Sequence, residues 1–131
     1  MTWLLDTNVL IAAQRGHPES VRRRLAAASP EQLFVPSVSI AELWYGIARH
    51  VEAERKRALW TRFLEPFSVL AFDRPAAELH GGLRHQLRHS PIGERDLLIA
   101  SIALANDLAV VTANTREFER VAGLRVEDWT R

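Results

Sequence analysis

The chain has 131 residues, of which 47% are hydrophobic and 25% charged, and its 17 basic and 16 acidic side chains leave a net charge of +1. A domain of this size buries about two-thirds of its unfolded surface, so it can hold a core without staples, and the composition excludes a disordered or fibrous chain. The absence of cysteine excludes disulfides, zinc–thiolate and iron–sulfur centres and cysteine nucleophiles, and the balanced charge gives no bulk argument for nucleic acid.

Residues 1–131 read as a single domain. Trp3 to Leu5 is an apolar run that predicts a buried strand. Thr7 to Arg15 follows as a helix, stopped by Gly16. Pro18 to Ala28 reads as a second helix, with proline near its start where the missing N–H costs nothing. Leu33 to Val35 is a short strand ended by Pro36. Ser37 to about His50 is a helix with Ser37 at the cap position, and a charged helix spans about Glu52 to Leu64. Ser68 to Phe72 is a strand. Asp73 to about His89 is a helix capped by Asp73, and Ser90, Pro91 and Gly93 interrupt the chain. Glu94 to Asn106 is a strongly apolar helix, Leu108 to Thr112 a strand, and a short helix near Glu117 precedes a last strand around Leu124 to Val126. Strands alternating with helices predict an α/β fold: a three-layer α/β/α sandwich around a mainly parallel sheet of four to five short strands.

The longest apolar run, Leu97 to Ala105 with Ser101 inside it, is far short of the ~20 residues a membrane helix needs. The N-terminus lacks a basic leader, and Asp6 and Asn8 interrupt its apolar run. The expectation is a soluble cytoplasmic protein with no membrane partner.

In a parallel sheet the functional crevice lies outside the carboxyl ends of the strands. Asp6-Thr7-Asn8 follows the first strand, Asp73 the third, and Thr112-Ala113-Asn114 the fourth, with Glu117 three residues on. Two more acids sit on apolar helices. Helical spacing puts Asp96 on one face with Ile99, Ala100 and Ala103, and Glu42 on one with Val38, Ala41 and Tyr45. Each acid has a local explanation. Asp6 and Asp73 can cap helices, Asp96 suits a first turn, and Glu42 can face solvent. Together they predict an acid-rich cleft. Converging carboxylates repel by on the order of 4 kcal/mol per pair at ~4 Å and an effective dielectric near 20. Protons or cations must compensate, and an all-oxygen site favours Mg²⁺ or Mn²⁺. The chemistry such an ion supports is hydrolysis of a phosphodiester.

The pieces Leu5-Asp6-Thr7-Asn8, Ser39-Ile40-Ala41-Glu42-Leu43-Trp44-Tyr45-Gly46, Pro91-Ile92-Gly93-Glu94-Arg95-Asp96-Leu97, Val111-Thr112-Ala113-Asn114-Thr115-Arg116-Glu117-Phe118 and Gly123-Leu124-Arg125-Val126-Glu127-Asp128-Trp129, in that order and spacing, resemble the PIN domain, and more closely the VapC-type toxins of bacterial toxin–antitoxin pairs. The resemblance implies a Mg²⁺-dependent endoribonuclease (Mn²⁺ as an alternative ion), homodimeric, acting on tRNA or a ribosomal RNA loop and silenced by a cognate VapB-type antitoxin. By position, Asp6 and Asp96 would be direct metal ligands, and Glu42 would bind the metal or orient its water. Asn114 and Glu117 share the fourth role. Thr7 and Asn8 would hold Asp6 and the metal's waters in place, as supporting partners do.

Other features are weaker. His85 and His89 are four apart but lack the glutamate of a zinc-protease helix, so a solvated or partner-facing helix is expected. Trp44 and Tyr45 fit either core packing or an aromatic surface beside the cleft, for an antitoxin helix or a base. A haloacid-dehalogenase-type phosphatase needs an acid where this chain has Asn8. A receiver domain needs a late lysine, whereas the sole lysine is Lys56. The remaining alternative is a non-catalytic RNA-binding or protein-docking module on the same fold.

Overall fold

The computed structural model describes residues 1–131. In chain order the elements are β1 (Trp3–Leu5), α1 (Thr7–Arg15), α2 (Glu19–Ala27), a 3₁₀ turn (Pro30–Gln32), β2 (Leu33–Pro36), α3 (Ser37–Ala48), α4 (Ala53–Leu64), β3 (Ser68–Leu70), α5 (Arg74–Gln86), α6 (Glu94–Ala105), β4 (Ala109–Val111), α7 (Thr115–Phe118) and β5 (Val126–Glu127). The sheet order is β3-β2-β1-β4-β5, and every pairing is parallel. The sheet is therefore five-stranded and wholly parallel, at the upper end of the expected strand number.

Both faces are covered, as a parallel sheet requires. Side chains alternate across β1. Leu4 packs with Leu83, Leu97, Ile99, Ile102 and Phe118 on the α5–α6–α7 face. Leu5 packs with Val9, Leu10, Val21, Leu43 and Trp60 on the α1–α4 face. Leu4 and Leu5 are both fully buried, and each such leucine contributes about 1.5–3 kcal/mol of transfer free energy. No helix is long and apolar enough to cross a membrane.

Local chemistry sets the element ends. Gly16 closes α1 in the left-handed region (φ 79°), its N–H donating to the carbonyls of Ala12 and Ala13, a conformation that glycine adopts without a Cβ penalty. Asp73 caps α5 by accepting from Ala76 N at 3.2 Å. Ser37 is not a cap: it is the first helical residue, Pro36 holds the N-cap position, and no side chain caps α3. The proline that ends β2 already sets an extended backbone (φ −74°, ψ 141°) from which α3 begins. The 3₁₀ turn was not anticipated. It is held by Gln32 Oε1, which accepts from Ser29 N at 2.9 Å and Ser29 Oγ at 3.1 Å.

This topology places the crevice. From β1 the chain moves outward through β2 to β3, then returns to the other side of β1 as β4. Connections leaving β1 and β4 diverge there, so a cleft opens at their carboxyl ends. Asp6 follows β1 directly, and Thr112 to Asn114 follow β4.

Candidate active site

Asp6 is fixed by the backbone that it caps. Its N–H donates to Val111 O at 3.0 Å, extending the β1–β4 ladder by one bond. Its Oδ1 accepts from Thr7 N at 2.7 Å, and its Oδ2 accepts from the Thr112 hydroxyl at 2.8 Å. The residue is only 5% exposed. It is thus a helix cap and a site residue at once, with both oxygens oriented by neighbours.

Glu42, on α3, reaches the same cleft. Its Oε1 accepts from the Thr7 hydroxyl at 2.9 Å. Thr7 Oγ1 also shares a 2.7 Å hydrogen bond with the wholly buried Ser39 hydroxyl. Glu42 Oε2 accepts from Arg95 Nη1. Asp96 sits in the first turn of α6, with its Oδ2 accepting from Asn114 Nδ2 at 2.9 Å. Asn114 N in turn donates to Thr112 Oγ1 at 2.9 Å, so one threonine braces both Asp6 and the Asn114 loop.

The cleft has a volume of about 240 Å³ and is lined by Asp6, Thr7, Asn8, Ile11, Glu42, Arg95, Asp96 and Asn114. Of the anticipated residues, Glu117 alone lies outside its lining. That carboxylate accepts from Arg120 Nη2 at 2.7 Å, one turn away on the same segment. Asn8 lines the cleft but is not hydrogen-bonded to Asp6; its Oδ1 accepts from Ala113 N at 3.4 Å. Three residues with clear roles here were not anticipated: Thr112, Ser39 and Arg95. A threonine closing a strand that faces Asp6 is a signal that sequence order alone hides, because 106 positions separate the two.

The electrostatics follow from crowding. Burial pushes the Asp6 carboxyl up from its ordinary value, and the Glu42 charge adds to this, against the hydrogen bonds from Thr112 and Thr7. Asp96 is pushed up to about 6, by burial first and then by the charges of Asp6 and Glu117, against the Asn114 amide and Arg95. Two carboxyls whose pKa values are both raised at one cleft are short of compensating positive charge. No three acidic or histidine side chains converge closely enough to hold an ion by themselves, and Glu42 is engaged by Arg95 and Thr7. The donor set is nonetheless that of a hard cation. Mg²⁺ commonly takes one or two carboxylates and completes its shell with water and phosphate oxygens, and Asp6 with Asp96 supplies that number.

Beside the cleft runs a groove of about 820 Å³, lined by Ile11, Val38, Leu43, Tyr45, Ile47 and Trp60 among others, and sharing Thr7, Glu42 and Arg95 with the cleft. Tyr45 is 67% exposed with the Arg49 guanidinium 5.0 Å from its ring centre. Trp44 packs against the core of the α1–α4 face. Trp44 therefore takes the core-packing alternative, and Tyr45 is an exposed aromatic beside the cleft. His85 and His89 are exposed and belong to no metal-holding group.

Comparison with known proteins gives a consistent match. Residues 3–124 match the PIN domain family. The chain is 39% identical to the tRNA(fMet)-specific endonuclease VapC of Shigella flexneri, covering 99% of each chain. It is 33% identical to the ribonuclease VapC2 of Rickettsia felis over 98% of each. Among solved structures, the DNA-bound VapBC of Salmonella typhimurium superposes with a TM-score of 0.91 at 36% identity, covering 98% of each chain.

Proposed function

This chain belongs to the PIN-domain family, among its VapC-type ribonucleases, and from that premise we propose that it is a metal-dependent endoribonuclease toxin neutralised by a VapB-type antitoxin. The observation that carries the reading is the convergence of Asp6, Glu42, Asp96 and Asn114 in one cleft at the carboxyl ends of β1 and β4. These residues come from four separate elements, and nothing in the core requires three carboxylates there.

Asp6 and Asp96 would hold the cation, Mg²⁺ or Mn²⁺. When bound, it supplies the positive charge that stabilises phosphate oxygens and assists attack by water. The chain's own residues do the rest. Thr112 and the Thr7 N–H fix both Asp6 oxygens in advance, so none of that ordering is left for the moment of reaction. Glu42, braced by Thr7, orients the attacking water. Asn114 steadies Asp96 and offers an amide rather than a charge, which supports one firmly held ion rather than two.

The substrate reading is a structured RNA presenting a single-stranded loop, because an A-form duplex hides its base edges in a deep, narrow groove. The relative from Shigella flexneri, named for tRNA(fMet), makes a tRNA loop the first substrate to test. The apolar groove beside the cleft, with exposed Tyr45, suits an antitoxin helix whose apolar face fills it. A second copy of the chain is the remaining partner, and exposed Val69, Phe72 and Leu79 are apolar side chains available to it.

The test is purified, partner-free protein incubated with total cellular RNA in Mg²⁺ or Mn²⁺, and in EDTA. Cuts at a few discrete sites, lost in EDTA and suppressed by the antitoxin, are expected. Intact RNA in the presence of either metal would favour the docking-module alternative.

A further inference from the structure

Arg95 is the sole cation lining the acidic cleft, and it also lines the larger groove, so it stands where the two meet. Its side chain is 68% exposed, yet it is held by Glu42, whose side chain is only 21% exposed and is itself anchored by Thr7. The contact engages Nη1. A guanidinium has five N–H donors in a planar fork, so most of them are left for a ligand. Its charge is felt by both Asp6 and Asp96. A cleft of three carboxylates repels every phosphate that approaches it, and a strand of RNA carries one at each step. Arginine is the side chain best shaped to grip a phosphate by two parallel bonds, and an exposed ion pair such as Arg95–Glu42 is weak enough to exchange for one.

We propose that Arg95 is the phosphate-binding residue of this site, parked on Glu42 in the free protein and transferred to an RNA phosphate as the strand passes from groove to cleft. The proposal rests on the ribonuclease reading above. Its transfer does two things together. It neutralises the incoming backbone, and it releases Glu42 Oε2 from its ion pair, leaving that oxygen available to a cation held at the cleft. Arg95 therefore competes with the metal for Glu42 while it helps the RNA, and the two effects have opposite signs on removal.

The test measures both. Anisotropy of a short fluorescein-labelled single-stranded RNA is followed in EDTA with Asp6→Asn protein, with and without Arg95→Gln, over a salt series. Affinity is expected to fall about tenfold, the loss of one charge-assisted bond, and the log–log salt slope to shrink by about 0.7, one phosphate contact on a single strand. Arg95→Lys retains the slope and recovers only part of the affinity. Calorimetric titration of Mn²⁺ into protein carrying Arg95→Gln alone is expected to show tighter binding than the unaltered protein. RNA affinity and slope unchanged by Arg95→Gln overturn the proposal, as does a parallel loss of Mn²⁺ binding, which marks a structural role. Cleavage by the unaltered protein in Mn²⁺ is run alongside. If it cuts RNA while binding ignores Arg95, only the Arg95 assignment fails; if it neither binds nor cuts, the ribonuclease reading fails and the assignment with it.

Discussion

Asn114 Nδ2 donates to Asp96 Oδ2 across 2.9 Å, tying the loop after β4 to the first turn of α6. Glu117, three residues on, is turned to Arg120 instead. Of the two, Asn114 lines the cleft and Glu117 does not. Asn114→Ala is expected to slow cleavage about tenfold, the scale of one hydrogen bond to a charged group. Glu117→Gln is expected to change it less than about threefold, since Glu117 lies outside the cleft lining and its carboxylate is paired with Arg120. Initial rates on one RNA substrate compare the two.

Removing ligand charge without removing shape isolates the chemistry. Asp6→Asn and Asp96→Asn are each expected to abolish cleavage while leaving the circular-dichroism spectrum unchanged. Asn can still cap α1 at position 6, and at position 96 it relieves the repulsion that pushes the carboxyl up to about 6. Loss of the folded spectrum in both variants would contradict the local geometry described for them.

The fold was legible where a residue type has one local use. Gly16 ends α1, Asp73 caps α5, and the apolar runs at Trp3–Leu5 and Ala109–Val111 are strands for want of any other way to bury them. The acids of the cleft were legible as charges in apolar company. Sequence order did not reveal who holds them. Thr112 meets Asp6 only because β4 returns beside β1. Arg95 meets Glu42 only because α6 packs near α3. Both are consequences of strand order, which no local pattern carries. Ser29 to Gln32 is different, since its Ser-x-x-Gln spacing is a readable capping signature.

The raised carboxyls make metal-free stability depend on pH with a definite sign. For Asp96 the folded value is about 6 against an ordinary 3.8, so between those values the folded state binds more protons than the unfolded one. The Asp96 contribution to stability therefore falls as pH rises from about 4 to about 6, then stays at its lower level. Mn²⁺ is expected to offset the loss by binding the folded state. Thermal unfolding in EDTA and in Mn²⁺ should give curves that converge near pH 4 and separate above pH 6.

A cap and a core residue separate stability from activity. Asp73→Ala removes the α5 cap and is expected to cost about 1 kcal/mol with the cleavage rate unchanged, because Asp73 does not line the cleft.

Trp129 is 1% exposed. It packs edge-on to Trp3 at 5.3 Å and shares the Glu127 carboxylate with it, the two indole N–H groups donating at 3.0 Å each. Trp129→Ala is expected to cost about 3–5 kcal/mol. Urea titrations measure both losses.

On the proposed function, Asp6 and Asp96 together hold the cation that lets this cleft hydrolyse RNA. The most direct test is Mn²⁺-dependent cleavage of purified tRNA, with the ends mapped, by the unaltered and the Asp96→Asn protein in parallel. Internal cuts at a fixed loop position are expected, present only with metal and absent from Asp96→Asn. The same cuts in EDTA, or from Asp96→Asn at the rate of the unaltered protein, would contradict that role for the two carboxylates.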